Sequence, residues 1–325
     1  MDDIFDPGLL RENPRQMSAA TLAFLGDAVY ELLARQKLAV TTIPAGKLHR
    51  MAIGMVCAGA QSQAYEVLEP LLTEEELASR LSRISFTTDL DSELVRRADL
   101  VIEAVFEDMK IKRDIFAKLE ARCRPDTIFC TNSSVMSPSE ISAELQHRER
   151  FVGTHFWNPG HLIPLVEVVK SDASSDEVAQ TVMDVLASAG KEPVLCKKDV
   201  PGFIANRMQH ALWREAISIV ERGIADAATV DKAVRYSFGL RLPQLGPMEN
   251  ADMVGTDLTY NIHDYILKDL EDSHEPSPLL KKLRDEGKIG FKTGEGFQTW
   301  TPGQIKASNE GLNDYLVDML YGKKK

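Results

Sequence analysis

The sequence predicts an α/β layer with a largely parallel sheet, set between two all-α regions. Three observations carry this reading. Short β-like runs at 84–87, 100–105, 127–131, 151–156, 165–169 and 193–196 alternate with helical stretches at 110–122 and 176–189. Residues 1–76 show apolar residues at helical spacing and no strand. After Val200-Pro201-Gly202 the spacing is again helical, through 203–222, 228–238 and 251–270, before a tail containing Gly and Lys.

Taken in order, Ser18 can cap a helix whose Leu22, Leu25, Val29, Leu32 and Leu33 share one face, and similar spacing continues through 48–60 and 65–72. Thr73-Glu74-Glu75-Glu76 has the form of a capping box and predicts a helix over 74–82 that feeds the strand beginning near Ile84. If the sheet begins there, the strand at 100–105 is left on an edge. These patterns divide the chain into 1–76, 77–199 and 200–325. No repeat or low-complexity tract interrupts them.

The composition of the 325 residues, 44% hydrophobic and 27% charged with 20 Gly and 15 Pro, is that of a globular protein and excludes fibrous and disordered classes. A net charge of −11 argues against nucleic acid and anionic membrane surfaces as partners. Residues 1–76 carry 11 acids against 6 bases, so they offer no electrostatic footprint for RNA. The four cysteines, Cys57, Cys123, Cys130 and Cys196, form no C-x-x-C pair, which suits reduced thiols and predicts a cytoplasmic location. The chain opens on Met-Asp-Asp where a signal peptide needs cations, and its apolar stretch 17–40 is interrupted by Asp27, Glu31 and Arg35, so no export or membrane segment is expected.

The most informative residues are Gly153-Thr154-His155-Phe156-Trp157-Asn158-Pro159 and Pro164-Leu165-Val166-Glu167-Val168-Val169. Two strands joined by a short turn can set His155 beside Glu167. A carboxylate bonded to one imidazole nitrogen fixes the tautomer and stabilises the imidazolium, leaving the other nitrogen as a base. Upstream, Thr131-Asn132-Ser133-Ser134 ends a strand in hydroxyls and an amide; downstream, Asn206 sits in the first turn of a helix. Both are candidate donors to a substrate oxygen. Taken singly, a histidine at a strand end is usually structural and a lone acid usually solvated. It is their joint order and spacing that reads as chemistry.

From about Leu72 to Trp300 the chain resembles the L-3-hydroxyacyl-CoA dehydrogenase family. The motifs agreeing in order are 99–107, Asn132-Ser133-Ser134, the two segments around His155 and Glu167, Asp199-Val200-Pro201-Gly202-Phe203, and Gly290-Phe291-Lys292-Thr293-Gly294-Glu295-Gly296-Phe297. The resemblance implies a partial Rossmann-like sheet followed by an all-α C-terminal domain, NAD as cofactor, an acyl-CoA-type substrate, and a homodimer formed through the C-terminal helices. It also implies that His155 is the base, Glu167 its orienting partner, and Ser134 and Asn206 the groups that bind the reacting oxygen. Glu107, Lys112 and Asn132 would line the cofactor, although by itself each charge near a strand end reads as surface. Trp157 stands where phenylalanine is usual in the family. Arg241–Asn250 differs from the commoner short Pro-Met-Gly-Pro form, which leaves acyl chain length and the need for CoA open.

One departure matters. A family member begins with a strand, a G-x-G-x-x-G turn and a second strand ending in an acid. None of these is legible here; Gly54 to Gly59 and Gly294-Glu295-Gly296 lack the third glycine and the context. The pyrophosphate thereby loses its usual backbone donors, and weak NAD binding is expected. In that place, Thr21–Leu32, Lys47-Leu48-His49-Arg50 and Gln61-Ser62-Gln63-Ala64 resemble the first half of mini-ribonuclease III. That resemblance implies that Asp27 helps to hold Mg²⁺ for phosphodiester hydrolysis. One carboxylate is too few for such a site, and no other metal site is expected. The sequence thus reads as an oxidoreductase whose first βαβ unit is exchanged for a nuclease-like fragment, with the join near 71–77. The alternative is a mini-ribonuclease III-like RNA-processing nuclease, or a non-catalytic dimerisation module.

Overall fold

The computed structural model describes residues 79, 82–85, 87–160 and 162–322. The resemblance to mini-ribonuclease III over 1–76, Asp27, and most of the helix expected over 74–82 therefore lie outside the described residues; Ser79 is helical and Ser82 is in a turn.

The described residues form two compact units, one drawn from 79–133 and 138–195, the other from 134–137 and 196–322. In the first, helix α1 (Glu93–Arg96) precedes strand β1 (Leu100–Glu103), helix α2 (Met109–Glu120), strand β2 (Ile128–Thr131) and the short helix α3 (Pro138–Ile141). Strands β3 (Phe151–Phe156) and β4 (Leu165–Lys170), helix α4 (Asp176–Ser188) and strand β5 (Glu192–Cys196) follow. The strands lie in the order β1-β2-β3-β4-β5. β1, β2 and β3 run parallel, whereas β3 and β4 are antiparallel, with His155 directly opposite Glu167. The expectation of a largely parallel sheet is thus modified at β4, because a loop as short as 157–164 can join only antiparallel neighbours.

Alternation along the strands divides the core. On one face Cys130, Val152, Val166 and Val168 pack with Ala179, Val182 and Leu186 of α4. That helix starts where the Ser175 hydroxyl accepts the Val178 amide. On the other face Phe116 of α2 lies edge-on to Phe151, ring centroids 4.7 Å apart, and 5.8 Å from Phe129. Each fully buried side chain of this kind contributes roughly 1.5–3 kcal/mol. Helix α2 begins where Asp108 accepts the Ile111 amide and buries Lys112, Phe116 and Leu119 as one stripe. Gly153 lets α3 sit close on the sheet, since a Cβ there would stand 2.9 Å from Pro138 Cγ.

The run at 84–87 is not a strand at Ile84, Ser85 or Thr87. Ile84 is exposed, and a β-prone run without a ladder partner gains nothing from extension. Among the described residues β1 is the edge of the sheet, and its Ile102 is 42% exposed.

The second unit is helical: α5 (Ala205–Glu221), α6 (Ala227–Arg235), α7 (Pro247–Val254), α8 (Thr256–Ile266), α9 (Pro278–Asp285) and α10 (Pro302–Tyr321). The helix expected over 251–270 is two helices, because Gly255 takes φ 101°, which no helix accommodates. The expected tail contains a helix of 20 residues, opened by a capping box in which Thr301 and Gln304 bond reciprocally.

Candidate active site

The parallel strands β1, β2 and β3 all end at one edge of the sheet, and polar side chains gather there. In β3 the His155 side chain points to the face on which Glu167, its cross-strand partner in β4, also lies, and Trp157 follows just past the end of the strand. His155 Nδ1 is 2.9 Å from Glu167 Oε2, and both residues are buried. A carboxylate can only accept, so Nδ1 carries the proton and Nε2 carries the lone pair. The Trp157 indole Nε1 donates to the same oxygen over 3.0 Å. The placement of His155 against Glu167 follows the sequence expectation. The Trp157 bond is not legible in the sequence, where the residue only replaces the family's usual phenylalanine.

At the ends of β1 and β2 a second cluster forms around Glu103, which sequence reasoning passed over. Glu103 Oε1 accepts from Lys112 Nζ at 2.8 Å and from the Val105 amide at 2.6 Å, while Oε2 accepts from the Thr131 hydroxyl at 2.7 Å. Lys112 Nζ also lies 3.3 Å from Glu107 Oε2, and the Ser133 hydroxyl donates to Glu107. The Lys112 side chain is 1% exposed, so it is a core group and not the surface charge its position on a helix suggests. An acid ending an apolar strand, with a lysine four residues before a core phenylalanine, was the available signal. Asn132 pins the two strand ends together: its amide donates to the Glu103 carbonyl, and its Oδ1 accepts from the Phe156 amide at 3.0 Å.

Ser134 and Asn206 belong to the helical unit. Asn206 lies in the first turn of α5, and its Nδ2 donates to the Ser134 carbonyl over 3.4 Å, with Ser134 itself exposed. Among the described residues no group of three or more His, Cys, Asp or Glu side chains could hold a metal ion. Burial pushes the Cys130 thiol up to about 12. No helix among the described residues is long and apolar enough to cross a membrane.

A sheet covered by helices on both faces, with its polar side chains at the carboxyl ends of parallel strands, is a Rossmann-like α/β domain, the class that binds ligands at that edge. Comparison with known proteins identifies the family. The 3-hydroxyacyl-CoA dehydrogenase NAD-binding domain matches residues 23–200 and the C-terminal domain of that family matches 202–300. The chain is 39% identical over 226 residues to the mitochondrial hydroxyacyl-coenzyme A dehydrogenase of Homo sapiens, covering 69% of this chain and 70% of that one. It is 36% identical over 224 residues to the 5-formyl-3-hydroxy-2-methylpyridine 4-carboxylate 5-dehydrogenase of Mesorhizobium japonicum, covering 69% and 72%. A solved structure of a dehydrogenase for that pyridine compound, described as an NAD⁺-dependent dismutase, matches with a TM-score of 0.72 at 32% identity, covering 84% of this chain and 86% of that one. The 3-hydroxybutyryl-CoA dehydrogenase of Escherichia coli K12 matches with a TM-score of 0.60 at 33% identity, covering 79% and 53%. The chain belongs to the 3-hydroxyacyl-CoA dehydrogenase family. The first match begins at residue 23, whereas the motifs legible in the sequence place the start of the family near residue 72, and no comparison supports a ribonuclease III-like fragment before it. The human relative is mitochondrial, so membership of the family does not by itself imply the cytoplasm.

Proposed function

We propose that this chain oxidises the secondary alcohol of a 3-hydroxyacyl substrate with NAD as hydride acceptor, and that His155 is its base. The observation carrying the proposal is the buried His155–Glu167 pair, 2.9 Å apart at the carboxyl end of β3. Nε2 takes the hydroxyl proton as the substrate carbon loses hydride, and Glu167 stabilises the imidazolium that results. Ser134 and Asn206 hold the reacting oxygen. NAD, when bound, supplies the hydride acceptor. At the strand ends the half-exposed Glu107 carboxylate and the Asn132 amide suit the ribose and carboxamide of its nicotinamide half. Glu107 and Asn132 would hold that half, with Lys112 acting through Glu107. The Asn132 oxygen is already engaged by Phe156, so its nitrogen is the atom left to donate.

Exposed Leu212, Trp213, Met253, Tyr260 and Tyr265 on α5, α7 and α8 support a homodimer through the C-terminal helices.

The test is the rate of acetoacetyl-CoA-dependent NADH oxidation by the wild type and by His155→Gln. The variant should lose about 10²–10⁴-fold, the usual worth of a positioned general base. Equal rates remove His155 from the mechanism. The TM-score of 0.72 to the pyridine-carboxylate enzyme favours a second reading of the substrate, a small aromatic aldehyde or alcohol without CoA. Running the same pair of proteins on 5-formyl-3-hydroxy-2-methylpyridine 4-carboxylate separates the two.

A further inference from the structure

We infer that Trp157 is a positioning residue for the His155–Glu167 pair, acting through its indole N–H on the Glu167 carboxylate. The inference rests on the proposed role of His155. Glu167 stands directly across from His155 in β4, and Trp157, the first residue past β3, turns its indole onto the same carboxylate. Both rings therefore reach one carboxylate from one side. Imidazole Nδ1 lies 2.9 Å from Oε2 and indole Nε1 lies 3.0 Å from the same atom. The two rings are also in contact, centroids 5.6 Å apart and planes inclined by 52°.

That arrangement constrains the base at a distance from the reacting atom. The terminal torsion of a glutamate is broad, so each donor added to Oε2 narrows where that oxygen stands. A second donor, on a rigid ring covalently tied two residues from the histidine, fixes where Oε2 stands. With Oε2 fixed, the Nδ1–H tautomer and the plane of the imidazole are fixed, and with them the direction of the Nε2 lone pair. Glu167 is fully buried, so water cannot replace the lost donor without rearrangement. Phenylalanine at this position would keep the aromatic wall and supply no N–H. The difference between the two side chains is therefore a single hydrogen bond to the orienting carboxylate.

The experiment uses Trp157→Phe, Glu167→Gln and the double variant in the full chain, with His155→Gln as reference. Nitrogen-15 NMR of the His155 ring reports the tautomer without turnover. The wild type should show one tautomer, protonated at Nδ1, and Trp157→Phe should move the ring resonances toward a mixture. In the kinetic arm, Trp157→Phe should lower kcat by about 3- to 10-fold while KM changes less than about twofold, a fraction of the worth of a hydrogen bond to a charged group. In the Glu167→Gln background the same substitution should cost nothing further, because it acts through that carboxylate. An unchanged tautomer in Trp157→Phe overturns the inference whatever the activity. So does a rise in KM at constant kcat, the mark of a wall residue, or an equal loss in both backgrounds. If instead His155→Gln turns over as fast as the wild type, the role of His155 as the base fails, and the tautomer measurement still decides what Trp157 does to the ring.

Discussion

Removing the ammonium at position 112 tests the second polar cluster. Lys112→Met keeps the length and apolar stem of the side chain on the buried stripe of α2. It takes away the charged donor at 2.8 Å from Glu103 Oε1 and at 3.3 Å from Glu107 Oε2. Glu103 then keeps two neutral donors, the Val105 amide and the Thr131 hydroxyl, and remains a buried carboxylate without a counter-charge. Breaking one side of a buried pair costs about 3–5 kcal/mol. For a unit of this size that corresponds to a fall in melting temperature of roughly 6–20 °C. The reverse change is expected to be milder. In Glu103→Gln the ammonium still has Glu107 at hydrogen-bonding distance, so about 2–3 kcal/mol is expected, the upper part of the range for losing a hydrogen bond to a charged group. The double variant Lys112→Met/Glu103→Gln should recover part of the loss of Lys112→Met. Urea and thermal unfolding followed by circular dichroism measure all three. If Lys112→Met stays within about 0.5 kcal/mol of the wild type, as surface substitutions do, or if the two losses simply add, the cluster is not the coupled buried site described.

Three further outcomes are expected. Gly153→Ala places a Cβ 2.9 Å from Pro138 Cγ and 3.1 Å from Val169 Cβ, and should destabilise by about 1–3 kcal/mol as overpacking does, read as a lower unfolding temperature. Burial pushes the Cys130 thiol up to about 12, so it should resist iodoacetamide at pH 8 until urea is added; peptide mapping that finds Cys130 labelled in the native protein would refute the burial. Calorimetry with NAD and NADH should give binding much weaker than an intact relative shows, since no Gly-rich turn is legible in the sequence. A micromolar dissociation constant would show that residues 23–76 build a pyrophosphate site from a pattern that the motif does not describe.

Much of the first unit was legible because strands announce themselves by composition and by flanking turns. The runs read at 151–156 and 165–169 differ from β3 and β4 by one residue at most. Two such runs joined by a loop of eight residues must be antiparallel neighbours, which brings His155 near Glu167, while the register that pairs Phe156 with Val166, and so His155 with Glu167, is set by the fold. Helix ends were less legible. Gly255 and the Thr301–Gln304 box are written in the sequence, yet an unbroken apolar spacing hid the first and the Gly and Lys content of the tail hid the second.

What the sequence by itself determined is the order of strands and helices, the family, and the pair of residues that carry the proposed proton transfer. These depend on neighbours in the chain or directly across one hairpin, where spacing dictates geometry. Only the tertiary structure decided the partners of Lys112 and Trp157. Lys112 is joined to a carboxylate at the end of β1, and to Glu107, by the way α2 packs on the sheet; Trp157 becomes a donor because β4 brings Glu167 to it. Both depend on which side chains meet after packing, and a buried polar group must find its partner among whatever the fold brings within about 3 Å.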